Sequence, residues 1–199
     1  IYGMLQDDKK NLWISTNKGL AKFNASSKTV CKTYDPKDGI QNNEFSQNAF
    51  YKNSQGEFYF GGADGFNIFH PDSLKENTYI PPVVITDFRL YNESMQVGDK
   101  GRYNFSLKKS ITYADEINLA YHHDMISFEF ATLNYINAEK NRYQYKLEGF
   151  DKDWVDAGDN RFATYTNLDA GNYIFRVRGS NNDGVWNEEG AAVRLIVPP

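Results

Sequence analysis

Asn11-Leu12-Trp13-Ile14-Ser15-Thr16-Asn17-Lys18-Gly19-Leu20-Ala21-Lys22-Phe23 returns in kind 46 positions on, as Glu57-Phe58-Tyr59-Phe60-Gly61-Gly62-Ala63-Asp64-Gly65-Phe66-Asn67-Ile68-Phe69. The two stretches align without a gap: Trp13 falls on Tyr59, Gly19 on Gly65 and Phe23 on Phe69. Self-similarity at a period of about 40–50 residues, built from short strands, points to propeller blades. In the first copy Leu12 to Ser15 reads as an apolar-aromatic strand. Asn17-Lys18-Gly19 is a tight turn in which glycine can take a positive φ, and Leu20 to Phe23 returns as the partner strand. Tyr2 to Gln6 supplies a strand before them and Thr29 to Tyr34 an outer one after them, completing a four-stranded blade. Ala49 to Phe69 gives most of a second, with the turn residues Asp35-Pro36-Lys37-Asp38-Gly39 between the two. Because propellers take roughly 4–8 blades, the expectation is a longer parent whose other blades lie upstream. The opening residues Ile1-Tyr2-Gly3-Met4 already read as strand.

Outward from the repeat the pattern changes. His70-Pro71-Asp72 ends the last blade strand, so residues 1–76 are assigned to the blades. Residues 77–82, ending in Pro81-Pro82, read as a stiff connector, since proline fixes φ and offers no backbone N–H. Residues 83–199 carry longer strands. Val83 to Tyr91 is apolar and β-branched, and Ile117 to Ala120 is short. Ile126, Phe128 and Phe130 alternate with polar neighbours, as do Tyr143, Tyr145 and Leu147, then Tyr173, Phe175 and Val177, then Val193, Leu195 and Val197. Period two with one polar face predicts antiparallel strands half-buried in a sandwich, and about seven of them match an immunoglobulin-like module. Leu168-Asp169-Ala170-Gly171-Asn172-Tyr173-Ile174-Phe175 reads as a turn entering a late strand, with Tyr173 placed as in a tyrosine corner. Phe175 then stands where antibody domains carry cysteine, and aromatic packing takes the place of the disulfide. The fold class is therefore all-β: a partial β-propeller of about two blades, then an immunoglobulin/fibronectin-like β-sandwich.

Composition narrows the function classes. Of 199 residues 40% are apolar and 16% aromatic, enough to bury a real core. A formal net charge of −4 argues against nucleic-acid binding, which needs a basic footprint. The single cysteine, Cys31, makes neither an intrachain disulfide nor a metal cage. No nucleophile elbow, phosphate loop, zinc spacing or dinucleotide fingerprint is present, so no catalytic residue, cofactor or metal is expected.

Asp7 to Leu20 resembles the two-component regulator propeller repeat. Tyr143-Gln144-Tyr145-Lys146-Leu147-Glu148-Gly149-Phe150-Asp151 resembles the opening of the triple-tyrosine (Y_Y_Y) module. Trp154, Thr164-Tyr165-Thr166-Asn167-Leu168, Gly171-Asn172-Tyr173 and Asn181-Asn182-Asp183-Gly184-Val185-Trp186 fit the same module. The two modules in this order are similar to the periplasmic sensor region of Bacteroidetes hybrid two-component systems. That resemblance implies a membrane-anchored parent with a histidine kinase and phosphorelay, a homodimeric arrangement, and an oligosaccharide ligand bound mainly by blades outside this chain. It also implies a structural role for the hallmark residues Trp13, Gly19, Tyr59, Gly65, Tyr145, Trp154, Tyr165, Tyr173 and Trp186. The alternative reading is an accessory or glycan-binding module of a secreted propeller enzyme, such as a polysaccharide lyase.

Other candidates weigh toward structure. Trp13, Tyr59 and Phe60 could stack on sugars, but their strand periodicity favours blade core. His122-His123-Asp124 is the one histidine cluster; adjacent side chains point to opposite faces, which favours a polar loop over a metal site. Asp151 with Asp153, and Glu188 with Glu189, read as solvated loop carboxylates rather than a catalytic pair across a cleft. Arg176 and Arg178 share one face of their strand and Arg142 and Lys146 another; a solvated sheet face is favoured over an anionic-sugar site.

Overall fold

The structure is a computed structural model that describes residues 1–98 and 101–199. It divides into two compact units, Ile1–Glu76 and Asn77–Pro199.

The first unit holds two antiparallel sheets. β1 (Gly3–Gln6), β2 (Asn11–Thr16), β3 (Gly19–Asn24) and β4 (Thr29–Tyr34) lie in that order in one; β5 (Phe45–Lys52), β6 (Phe58–Gly62) and β7 (Gly65–Phe69) form the other. The repeat survives in the register. Trp13 lies opposite Lys22 and Thr16 opposite Gly19, while Tyr59 lies opposite Ile68 and Gly62 opposite Gly65, 46 residues on in each case. Gly19 has φ +98°, and a Cβ there would run into the carbonyl oxygen of Tyr34, so this turn demands glycine.

The burial phase, however, inverts between the copies. Trp13 and Ser15 are buried in β2, whereas Phe58 and Phe60 are buried in β6 and Tyr59 is only half-buried. Stacked sheets meet through opposite faces. Trp13 faces the second sheet, its ring 5.0 Å from Phe69 and edge-on to Phe58 at 6.5 Å. Tyr59, its counterpart, points away beside Tyr51, on the face that carries the exposed Phe66 and Ile68. Blade core therefore describes Trp13 and Phe60 but only half describes Tyr59.

The turns entering β2 and β6 also repeat. Asp7 caps the first, accepting from the Asn11 N–H at 2.8 Å, and Asn53 caps the second, accepting from the Glu57 N–H at 2.9 Å. Each turn needs one left-handed residue: Gly56 (φ 83°) in the second and, at the matching place, Lys10 (φ 64°) in the first. A side chain with a Cβ is strained in that region. Lys10 is exposed, so Lys10→Gly is expected to raise stability by about 0.5–1 kcal/mol, the strain relief exceeding glycine's entropy cost. A urea titration of the variant that shows equal or lower stability contradicts this.

The second unit is a two-sheet sandwich. One sheet has the order β14 (Phe162–Thr166), β11 (Met125–Thr132), β8 (Val83–Leu90), β9 (Glu93–Ser94). The other runs β10 (Glu116–Asn118), β16 (Trp186–Val197), β15 (Gly171–Ser180), β12 (Arg142–Glu148), β13 (Val155–Gly158). Among the pairings of these named strands only β10 with β16 is parallel. That one parallel pair seals the edge of the second sheet with a short strand drawn from the chain between β8 and β11. The alternation dictates the core: Phe88, Phe128 and Phe130 face Leu147, Phe175 and Leu195, all fully buried. At its centre Phe128 and Phe175 stack nearly parallel, centroids 4.1 Å apart and 6° between planes. The aromatic pair expected in place of a disulfide is thus there, its second member being Phe128 on β11.

Residues 77–82, expected as a stiff connector, fall within the second unit and are bonded to the rest of it. The backbone carbonyls of Asn77, Tyr79, Pro81 and Pro82 all accept hydrogen bonds from the second unit. Side-chain amides, not a neighbouring strand, supply three of the four donors, so no hydrophobic pattern announces the segment.

Candidate functional site

The hallmark aromatics of the second unit fall into two groups. Two of the tyrosines, Tyr165 and Tyr173, are clamps whose hydroxyls tie down corners of the sandwich. Tyr173 donates to the Asp169 carbonyl at 2.9 Å, closing the turn that feeds β15. Tyr165, on β14, donates to the Asp151 carboxylate at 2.7 Å, and the same oxygen accepts from the Leu147 N–H at 2.7 Å. This ties the turn after β12 to the opposite sheet. Burial, reinforced by the Asp151 carboxylate, drives the Tyr165 hydroxyl far above its usual range, so it remains a donor. Tyr145 packs between Phe130, Tyr165 and Phe175, and burial raises its hydroxyl too. Two further clamps lie outside the expected set. The Tyr143 hydroxyl accepts from the Thr132 N–H; that of Tyr91 donates to the His122 carbonyl and accepts from the Asp124 N–H. Asp151 is accordingly no solvated loop carboxylate but the anchor of a turn.

The tryptophans sit outside, on the solvent face of the five-stranded sheet. The Arg178 guanidinium lies 4.4 Å from the Trp154 ring and 5.8 Å from the Trp186 ring, between the two hallmarks. It donates twice to Gln144 Oε1, at 2.9 and 2.7 Å, and pairs with Glu188. Arg176 donates to Glu148 at 2.6 Å, and Lys146 to the Lys152 carbonyl at 2.8 Å. The register sets Gln144 opposite Arg178 and Lys146 opposite Arg176. Arg142, Lys146, Arg176 and Arg178 therefore share a single face, not two, because paired residues of adjacent strands point the same way. A guanidinium stacked between two rings and bonded on several sides is held rigid. Its charge is already matched within the sheet, which lends nothing to an anionic-sugar site.

The histidine cluster is likewise not a plain polar loop. His123 is 8% exposed: its Nδ1 accepts from the Ala120 N–H at 3.1 Å, and Nε2 lies 3.3 Å from the Tyr103 carbonyl. Those partners fit the neutral ring with its proton on Nε2. Burial lowers the His123 pKa despite the Tyr103 carbonyl and Asp124, which favour the charged ring. The unfolded chain then takes up its proton first as pH falls. The His123 contribution is full above about pH 6.5 and lost as pH drops through the folded value. In urea midpoints between pH 8 and 5, His123→Gln is expected to flatten this decline; an unchanged slope contradicts it. Among the described residues no group of three or more His, Cys, Asp or Glu is placed to hold a metal.

In the first unit Asp7, Asp8, Lys52, Gly56, Phe58, His70, Pro71 and Asp72 line a small cleft with room for about one water molecule. Lys52 pairs with Asp8 at 2.9 Å and Lys9 with Asp72 at 2.7 Å. Asp7, 8% exposed, accepts from Asn11 and from the Trp13 indole N–H at 3.0 Å. Burial alone would raise its carboxyl; the Trp13 and Asn11 hydrogen bonds outweigh burial and hold it below the usual range. The cleft is a cap over the blade core, not a cavity sized for a sugar.

Clamped corners and an internally matched outer face, in a sandwich that follows propeller blades in the chain, define a class: all-β chains that join blades to a tyrosine-clamped immunoglobulin-like domain. Residues 134–197 match the Y_Y_Y domain family, and over its whole length the chain is similar to extracellular domains of two-component systems. It is 39% identical over 199 residues to histidine kinase P4 of Formosa agariphila, covering all of this chain and 14% of that protein. It also matches the crystal structure of the extracellular domain of BT3049 from B. thetaiotaomicron, named as a hybrid two component system. There the TM-score is 0.80 at 27% identity, covering all of this chain and 26% of that one. The extracellular domain of BT4673 from the same organism matches with a TM-score of 0.54 at 27% identity, covering all of this chain and 25% of that one. The chain thus spans only a fraction of the proteins it resembles.

Proposed function

We propose that this chain is the signal-relay part of the extracytoplasmic region of a membrane-anchored hybrid two-component sensor, with no catalytic role of its own. The observation that carries this reading is similarity over the entire chain, blades and sandwich together, to a histidine kinase and to extracellular domains of two-component systems. The ligand is an oligosaccharide, bound mainly by blades outside this chain, and the parent works as a periplasmic homodimer. Binding biases two arrangements of nearly equal energy, which is all that such a relay requires. The clamped sandwich suits that task, because a lever must move without deforming.

The test is sedimentation of the complete extracytoplasmic region, alone and with a panel of neutral and uronic-acid oligosaccharides. The expected result is a dimer whose sedimentation changes with at least one member of the panel. A strict monomer that binds none of them overturns the reading, as does a gene that encodes no membrane helix and no kinase.

A further inference from the structure

Six asparagines of the second unit converge where the chain enters it. Asn181 is fully buried and uses its whole amide. Its Nδ2 donates to the carbonyls of Asn77 at 2.6 Å and Tyr79 at 2.8 Å, while its Oδ1 accepts from the N–H groups of Asp183 at 2.8 Å and Val185 at 3.0 Å. One side chain thus closes its own turn and grips the incoming backbone. The Asn77 N–H donates to Asp183 Oδ2 at 2.7 Å; Asn77 Nδ2 donates to Asn182 Oδ1 at 2.9 Å and Asn134 Oδ1 at 3.2 Å. Asn134 in turn donates to Asn141 Oδ1 at 2.8 Å, and both are buried. Farther along, Asn187 Nδ2 donates to the Pro81 carbonyl at 2.9 Å, and the Leu133 N–H to that of Pro82 at 2.8 Å.

Only an amide side chain fits at position 181. It must donate to two carbonyls and accept from two N–H groups, and no other side chain of that size does both. A buried network of this kind is rigid when complete and costly when one member is lost. The segment it holds has one apolar anchor of its own, the buried Pro81, while Tyr79 and Ile80 are exposed. Beyond the amides, the segment is held by the Leu133 N–H on the Pro82 carbonyl, the Asp183 carboxylate on the Asn77 N–H and the buried Pro81 ring.

We propose that the Asn181 turn is a latch that makes residues 77–82 the rigid input arm of the sandwich, so that the chain bends N-terminal to Asn77 rather than at the diproline. This coupling holds whether or not the parent is a sensor. In a sensor it ensures that displacement of the arm is delivered to the sandwich undiminished.

Backbone ¹⁵N relaxation on the 199-residue chain tests it without any ligand. Residues 77–80 are expected to show order parameters like those of β8, about 0.85. Asn181→Asp keeps the shape but turns two donors into acceptors facing carbonyls. It is expected to drop residues 77–80 below about 0.6 while β8, β11 and β15 stay rigid. Asn77→Ala leaves the turn intact and removes only the arm's own amide, so it serves if the first variant does not fold; a smaller drop confined to the arm is expected. Flexible residues 77–80 in the unmodified chain, or an arm equally rigid in both variants, overturn the latch. Neither result bears on sugar binding or dimerisation, so failure here is separate from failure of the sensor reading.

Discussion

Phe175→Ala destabilises the second unit by about 3–5 kcal/mol, the usual cost of emptying a buried phenylalanine site. The ring is fully buried, stacks on Phe128 and lies within 6.4 Å of the Phe130, Tyr145 and Tyr165 centroids. Tyr165 is held by its bond to Asp151, and the Phe128 and Phe130 rings are packed in a fully buried layer, so little collapse into the space is expected and the loss lies toward the upper end. Phe175→Leu keeps most of the apolar volume and gives up the stacking, worth about 0.5–1.5 kcal/mol, plus a small cavity; it is expected to cost roughly half as much. Arg176→Ala, one residue along the same strand, breaks an ion pair that is 42% exposed on each side and costs at most about 1 kcal/mol. Urea unfolding followed by the fluorescence of Trp154 and Trp186 measures all three. A loss below 1 kcal/mol for Phe175→Ala would show that the stacked pair does not stand in for a disulfide.

What the sequence disclosed follows from which forces have a period. Strand alternation put Phe175, Leu147 and Leu195 inside without ambiguity, because one face of an antiparallel sheet is dry. The gapless offset of 46 fixed the hairpin registers of both blades, because turn chemistry at Gly19 and Gly65 pins them. The inverted burial of Tyr59 against Trp13 was not legible, since it depends on which face of a sheet meets a neighbour and not on the strand itself. Tyr173 could be read as a corner because its carbonyl partner lies four residues back. The Tyr165–Asp151 clamp joins two sheets and has no local signal. The asparagine latch was hidden for the same reason: Asn182-Asp183-Gly184 announces a turn, but nothing along the chain reveals that Asn181 reaches back more than a hundred residues to Asn77. A buried side-chain amide that spans the chain is visible only after folding.

Trp13→Ala is the counterpart test in the first unit, and its outcome is expected to be more drastic. The indole is fully buried, stacks on Tyr34 at 5.5 Å and bridges the two sheets through Phe58 and Phe69. Its removal costs about 3–5 kcal/mol. That is a large share of what a unit of this size holds, since stability runs at roughly 0.05–0.15 kcal/mol per residue, or about 4–11 kcal/mol for Ile1–Glu76. The substitution also strips Asp7 of one of its donors and leaves a carboxylate partly buried. Hydrogen exchange is expected to show β2, β3 and β6 losing most of their protection while β11 and β15 keep theirs. Trp13→Phe helps separate the two effects, for it keeps an aromatic ring while losing the indole N–H and some volume, and only the N–H loss depends on the ionisation of Asp7. Because the folded-state pKa of Asp7 is depressed, its stabilisation is present above about pH 4 and vanishes as pH falls through the folded value. The gap between Trp13→Phe and the unmodified protein should therefore be widest near neutrality and narrow in acid. A gap that stays constant from pH 7 to pH 3 would show that the indole matters only for its volume, and that the Asp7 cap contributes nothing to the joint between the blades.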